Sequence, residues 1–393
     1  MKKKETFVTY CTGCGLCKSV QGVSFHTDEK GYNIPELEEA HLDFCANICP
    51  AGGAASEEML GKNVWGNYQQ VKLGWAMSRD IRREASSGGM LTALCCYLLE
   101  SGKVDGIIQT KVSEIVVHGT ETIISRTRDE VLACMGSRYS ISSPLDNIKQ
   151  IVKEGERYAF VGKPCDASAL RMYMKQDEKL SEQIKYILSF FCAGQPSVTA
   201  QKRLLNELGC KEEECVSLQY RGNGWPGYAT ATKKDGSKMT MSYNDSWGKI
   251  LGRDVRKACR FCLDGIGEFA DVSCGDAWYL TEQGTPNFME AEGRNVIFAR
   301  TKQGEELVNA AAKTGDIFVE NYQNDIKDLE KIQRYQLERR ATMEVMLRAL
   351  RMAKKEFPNY NKKTLRGFAQ HVTRKLRIKR FLGTVRRVVQ GKI

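Results

Sequence analysis

Tyr158-Ala159-Phe160-Val161-Gly162-Lys163-Pro164-Cys165-Asp166 reads as a short apolar strand running straight into a turn that carries a lysine and a cysteine. Four apolar or aromatic residues bounded by Gly-Lys-Pro suit a buried strand, and Ala167 to Met174 continues as a helix. The turn between a strand's carboxyl end and the next helix is where open α/β sheets place their chemistry. The pattern recurs downstream, where Ile184 to Phe191 predicts another strand ending in Cys192-Ala193-Gly194. Either thiol alone suits a buried structural role, because cysteine packs as a small apolar side chain. Two strands each delivering a cysteine at their exit argue against coincidence.

Working outward, Val104 to Ile108 predicts a further buried strand, preceded by a helix over Met90 to Leu99 that Ser101-Gly102 closes. Ala85-Ser86-Ser87-Gly88-Gly89 leads into that helix. Small residues there leave backbone N–H groups free to approach an anion, aided by the helix dipole, although such residues cap helices of every kind. Gly136-Ser137-Arg138-Tyr139 precedes a predicted helix over Pro144 to Lys153, and Asp325 to Ala353 is strongly helix-forming. Tyr220 to Gly227 is a glycine-rich turn with one Arg and one Trp, followed by alternating segments around Asp235-Gly236 that predict antiparallel strands. Alternating helices and strands with an antiparallel part give an α/β (α+β) fold. Cys259-Arg260-Phe261-Cys262 has no matching pair; it finds ligand partners elsewhere, binds nothing, or acts as a redox dithiol.

The amino-terminal segment carries a denser motif, Cys11-Thr12-Gly13-Cys14-Gly15-Leu16-Cys17, answered by Cys49-Pro50. Three thiolates at steps of three residues plus a Cys-Pro are the ligand spacing of a 4Fe-4S centre. Cys45 is the rival for the fourth position. A four-Cys zinc knot would show two separate C-x-x-C pairs, which fits less well.

The chain has 393 residues, 42% hydrophobic and 27% charged, ordinary for a globular protein of two or three domains. Met1-Lys2-Lys3-Lys4 is followed by no apolar run, and the longest apolar stretch, Met90 to Leu99, is far too short to span a bilayer. Fifteen cysteines without a leader favour reduced thiols, metal ligation or catalysis, hence a cytoplasmic protein. The net charge of +11 sits in the tail, where Lys354 to Ile393 holds 13 Lys and Arg against one acid, Glu356. Leu365, Phe368, Val372, Leu376, Leu382, Val385 and Val389 recur there at mostly helical steps, a basic amphipathic pattern. Three readings of it stand: a solvated, partly disordered extension; a helix on an anionic membrane surface, peripheral at the inner face; or a dock for a partner subunit.

Taken in order, the two amino-terminal cysteine motifs, Ser87-Gly88-Gly89, Gly136-Ser137-Arg138-Tyr139, Gly162-Lys163-Pro164-Cys165, Phe191-Cys192-Ala193-Gly194, Arg221-Gly222-Asn223-Gly224-Trp225-Pro226-Gly227, Cys259-x-x-Cys262 and Ala270-Asp271-Val272-Ser273-Cys274-Gly275-Asp276-Ala277-Trp278 resemble those of the coenzyme F420 hydrogenase/dehydrogenase beta-subunit family, as a bacterial member. The resemblance implies an iron–sulfur flavoprotein: a small ferredoxin-like 4Fe-4S module (residues 1–60), a mixed-sheet FAD-binding region in two parts (70–155 and 156–320) and a helical, basic extension (321–393). It implies that Cys11, Cys14, Cys17 and Cys49 hold one cluster and that Cys165, Cys192, Cys259 and Cys262 are candidates for a second. Cys274 is a rival fourth ligand, in a slot the family usually fills with an apolar residue. Ser87, Gly88, Gly89, Ser137, Arg138, Tyr139 and Lys163 would lie at the FAD.

The implied activity is electron passage between clusters and FAD, to or from a deazaflavin-like hydride carrier, a ferredoxin or a small organic substrate. Bacterial members also occur beside polysaccharide-synthesis enzymes. The alternative is an electron-relay subunit that serves a partner enzyme. A zinc-stabilised nucleic-acid binder rests only on the tail, which shows no base-reading or aromatic pattern. The four His are scattered and suggest no hydrolytic triad.

Overall fold

The computed structural model describes residues 4–58, 63–322 and 326–393. Its amino-terminal part folds two short helices, Leu16–Gln21 and Leu42–Ile48, around a small antiparallel hairpin of β1 (Phe25–Thr27) and β2 (Asn33–Pro35). The next strands are β3 (Gln70–Ala76), β4 (Gly106–Val112), β5 (Thr120–Ser125), β6 (Tyr158–Gly162) and β7 (Ile184–Phe190). They are followed by β8 (Cys215–Gln219), β9 (Tyr228–Lys233), β10 (Lys238–Ser242), β11 (Val272–Asp276), β12 (Asn295–Ala299) and β13 (Ile317–Asn321).

Eight strands form one mixed sheet in the order β13-β3-β12-β11-β7-β6-β4-β5. Its centre, β11-β7-β6-β4, is parallel, whereas β5, β12, β3 and β13 pair antiparallel at the flanks. A separate antiparallel sheet, β10-β9-β8, includes the hairpin expected around Asp235-Gly236. Strands buried on both faces read as continuous apolar runs, and β12 shows the consequence of strand alternation. Val296 and Phe298 enter one core, while Ile297 and Ala299 enter the opposite one. The second of these is built with the helices Met90–Glu100 and Lys302–Thr314. The first joins Phe7, Tyr10 and Leu37 of the amino-terminal part to Leu337, Met343, Leu347, Leu365 and Phe368 of the carboxyl-terminal helices.

Several expectations are corrected. The helix expected over Pro144 to Lys153 shrinks to one turn, Ile148–Ile151. The helical stretch from 325 to 353 is two helices, Ile326–Ile332 and Arg334–Met352, parted at Gln333, whose Nε2 donates to the Asp276 carbonyl at 2.6 Å. The patternless segment around Trp65 is buried: Arg300 donates to the Trp65 carbonyl at 2.5 Å and to the Ile266 carbonyl at 2.8 Å. The basic tail is ordered rather than a solvated extension. Its helices Lys362–Phe368 and Arg374–Val389 lie on Arg334–Met352, with ion pairs Arg380–Glu338 at 2.8 Å and Arg377–Glu344 at 3.2 Å. Among the described residues no helix is long and apolar enough to cross a membrane.

Candidate functional site

The parallel strands β6, β7 and β11 end at one rim of the sheet, where a cavity of about 530 Å³ opens. Beyond β6, Pro164 starts the helix Pro164–Met174, and Asp166 closes its first turn by accepting from the Lys163 N–H at 3.0 Å. The Lys163 ammonium enters the cavity wall, held by Asp166 at 2.8 Å and the Ser142 hydroxyl at 2.7 Å. Burial opposes that charge, but Asp166 and the nearby Cys165 thiol outweigh it and hold the ammonium above its ordinary range.

Of the residues expected at a flavin, Ser87, Gly89, Ser137, Arg138, Tyr139 and Lys163 line the cavity. Gly88 packs instead against β12, where a Cβ would stand 2.6 Å from Asn295 Oδ1. Asn295 also accepts from the Met90 N–H at 3.3 Å and donates to Ser87 at 3.0 Å, so it caps the helix start. Arg138 donates only to the carbonyls of Met135, at 2.9 Å, and Ser137, at 3.4 Å, among the described residues. Its Nε has no partner there, and burial depresses its pKa. A buried guanidinium without a carboxylate is costly, and a bound diphosphate would relieve it.

Sequence reasoning assigned no role to Arg221, a further cation in the cavity wall. Arg221 makes a two-bond contact with Asp276 at 2.8 and 2.9 Å, and Trp225 Nε1 donates to the same carboxylate at 2.7 Å. Burial opposes the Arg221 charge, yet Asp276 outweighs it and keeps the guanidinium firmly protonated. Tyr243 and Trp278 lie 4.7 and 5.2 Å from it. The signal was present as the Arg of the glycine-rich turn at residues 221–227 and one of two Asp in the motif at residues 270–278, without any indication that they meet.

The cysteines gather into two sets. Cys11 and Cys14 ride a loop turned by Gly13 and Gly15, at φ +72° and +87°, and Cys17 follows in the first turn of the helix Leu16–Gln21. A Cβ on Gly13 would meet Arg256 at 2.9 Å, and one on Gly15 would meet the Asp146 backbone at 2.7 Å. Cys49 ends the helix Leu42–Ile48; burial first, then the charges of Cys45, Cys14, Cys11 and Cys17, push its thiol well up. Cys49 therefore lies within electrostatic reach of Cys45 and of Cys14, Cys11 and Cys17. Cys45 lies one helical turn earlier, buried, and feels Cys11.

The second set joins segments far apart in sequence. Cys165 feels both Cys262 and Cys192, and Cys192 feels Cys259. Burial pushes the Cys262 thiol up to about 12, against the pull of Arg339. Arg339 comes from the helix Arg334–Met352 and donates to the Cys192 carbonyl at 3.1 Å, as does Gln336 at 3.1 Å. No sequence signal pointed to it. Cys274 lines the large cavity too, and its carbonyl accepts from the Phe191 N–H at 2.8 Å, but its side chain is buried in the core around Met90–Glu100 beside Cys95.

The two sets adjoin. Burial first and then Asp166 raise the Cys14 thiol, and Arg256 donates to the Cys11 carbonyl at 2.9 Å from three residues before Cys259. A small cavity of about 40 Å³ is lined by Thr12 and Pro50 on one side and by Cys165 and Cys262 on the other. Cys192 lines the large cavity as well. Four thiolates around one zinc ion would sit about 3.8 Å apart, given Zn–S bonds of about 2.3 Å. Among the described residues no three His, Cys, Asp or Glu side chains converge so closely. Both donor sets are wholly thiol, a chemistry that suits an iron–sulfur group.

A mixed α/β sheet whose parallel strand ends bring a cation-lined cavity beside two cysteine sets defines an α/β protein with its candidate site at the rim of the sheet. Residues 71–149 match the amino-terminal half, and residues 155–325 the carboxyl-terminal half, of the family described as coenzyme F420 hydrogenase/dehydrogenase, beta subunit. The chain belongs to this oxidoreductase family. It is 25% identical over 281 residues to the coenzyme F420 hydrogenase subunit beta of Methanococcus voltae, spanning 70% of this chain and 92% of that one. It is 25% identical over 351 residues to the coenzyme F420-dependent sulfite reductase of Methanocaldococcus jannaschii, spanning 84% of this chain but only 49% of that protein's length. These relatives are archaeal. The fold is similar to a chain of the F420-reducing NiFe hydrogenase complex from Methanosarcina barkeri, with a TM-score of 0.59 and 20% identity, covering 75% of this chain and 97% of that one. Arg339 lies beyond the matched residues, on the carboxyl-terminal helices.

Proposed function

We propose that this chain is an iron–sulfur flavoprotein oxidoreductase that exchanges a hydride with a deazaflavin-like carrier or a small organic substrate. The observation that carries the proposal is the position of Cys192, which belongs to the second cysteine set and also lines the large cavity. When bound, 4Fe-4S clusters move single electrons, and FAD converts between one- and two-electron transfer. Cys11, Cys14, Cys17 and Cys49 would hold one cluster in a ferredoxin-like module; Cys165, Cys192, Cys259 and Cys262 would hold the second. Ser87, Gly89, Ser137 and Tyr139 would bracket the FAD, with Gly88 holding the loop close to β12. Arg138 would take its diphosphate, and the ammonium of Lys163 would favour negative charge developing on the ring. Arg339 would stabilise thiolates at the second set.

The reading is tested by reducing bound flavin with a one-electron donor in wild type and in Cys262→Ser. The variant should lose rapid reduction while still exchanging hydride with a two-electron donor. Equal one-electron reduction in both would overturn the route through the second set. A second reading, a relay subunit without its own substrate, is favoured by relatives named as beta subunits. Turnover of a small molecule by the isolated chain would exclude it. Turnover only after a partner enzyme or a ferredoxin is added would support it.

A further inference from the structure

The terminal helix Arg374–Val389 is bound to the body along one side only. Arg377 and Arg380 pair with Glu344 and Glu338, and Thr384 is fully buried. Half a turn around, the side chains face outward. Ile378, Leu382 and Val389 are 53%, 59% and 81% exposed, far too open to belong to a core. At 3.6 residues per turn these three fall within an arc of about 40°. Lys375, Lys379 and Arg386, all exposed, lie along the adjoining arc. Residues 362–393 contain 11 Lys and Arg and no Asp or Glu. Lys362, Lys363 and Arg366 on the preceding helix are exposed too.

From this face we propose that the terminal helix docks the protein on an anionic lipid surface. The helix would lie in the plane of the interface, with Ile378, Leu382 and Val389 entering the acyl boundary and the adjoining cations meeting lipid phosphates. Charge complementarity requires an anionic partner: Glu338 and Glu344 answer Arg380 and Arg377 on the inner side, and residues 362–393 carry no acid to offset the outward cations. The apolar row selects lipid among polyanions: burial of apolar area and attraction of Lys and Arg add at a membrane interface. A nucleic-acid surface would leave Ile378, Leu382 and Val389 without partners. The proposal is independent of the redox reading.

Truncation is a poor test, since Leu365 and Phe368 of the preceding helix belong to the core. The full-length protein is sedimented with vesicles of phosphatidylcholine alone and of phosphatidylcholine mixed with phosphatidylglycerol. Two variants accompany it: Lys375→Gln/Lys379→Gln/Arg386→Gln, and Ile378→Ser/Leu382→Ser/Val389→Ser. All six side chains point to solvent, so wild-type melting temperatures are expected. Wild type should bind the mixed vesicles and not the neutral ones. Neutralising three cations should weaken binding about a hundred-fold, at about 1 kcal/mol per cation, and the serine variant should weaken it at least about ten-fold. Failure to bind the mixed vesicles would overturn the proposal. So would a serine variant that binds like wild type, which would make the face a general polyanion site for heparin, nucleic acid or an acidic protein.

Discussion

Arg339 is a single residue on which the proposed electron path depends. Burial works against its charge, but the thiols of Cys262, Cys192 and Cys259 and the Tyr335 hydroxyl together outweigh that cost. A cation beside a cluster stabilises its reduced, more negative form. Arg339→Gln should therefore lower the potential of the second centre, by about 40 mV for each ~1 kcal/mol of attraction lost, without changing iron content. Arg339→Lys should recover most of the shift. A redox titration followed by electron paramagnetic resonance reads both, and an unchanged potential in Arg339→Gln would show that the residue only packs. At this scale the sequence was legible where chemistry is local. The C-x-x-C-x-x-C spacing is self-evident, and cysteines at the strand exits β6 and β7 follow from the strand reading. Arg339 was not legible, because it reaches Cys192 across 147 residues of chain. The same holds for Arg221 and Asp276, 55 residues apart.

Among the elements, the loop that bears Cys11 and Cys14 and leads into the helix of Cys17 is the most exacting. Gly15 has a left-handed conformation and stands against the backbone of Asp146, which no rotamer change can move aside. Gly15→Ala should cost at least about 1–2 kcal/mol from backbone strain alone and displace Cys14 or Cys17. The expected outcome is iron lost from the first set while the second set and flavin stay; full iron content would contradict this. The strands and the Met90–Glu100 helix were readable because their apolar pattern is continuous over several residues. Two helical readings were too long for physical reasons. Gln333 breaks the 325–353 stretch because its side chain is drawn to the Asp276 carbonyl, a tertiary contact that overrides propensity. Residues 144–153 keep only one helical turn, and Leu145, just before it, instead donates its N–H to the Cys14 carbonyl at 2.9 Å. The order of the sheet, with β3 and β13 beyond β12, has no local signature at all.

For the whole molecule, the carboxyl-terminal helices are part of the body rather than an appendage. Arg340, fully buried, pairs with Glu268 at 2.8 Å, and its Nε and Nη1 have no acceptor among the described residues. Glu268→Gln removes the countercharge and leaves the guanidinium buried, which should destabilise the protein by about 3–5 kcal/mol. Denaturant unfolding reads this directly, and a loss under ~1 kcal/mol would show that the pair is solvated or replaceable. Hydropathy and charge alone separated this tail from a neutral body, and could not reveal that its apolar half is committed inward.

In the proposed function the two cysteine sets hold two clusters and the cavity holds one flavin. The most direct measurement is iron, acid-labile sulfide, zinc and flavin per chain after anaerobic purification. About eight irons, as many sulfides and one FAD per chain are expected. About four irons with FAD would remove the second cluster, and a colourless, zinc-loaded protein without flavin would contradict the account outright.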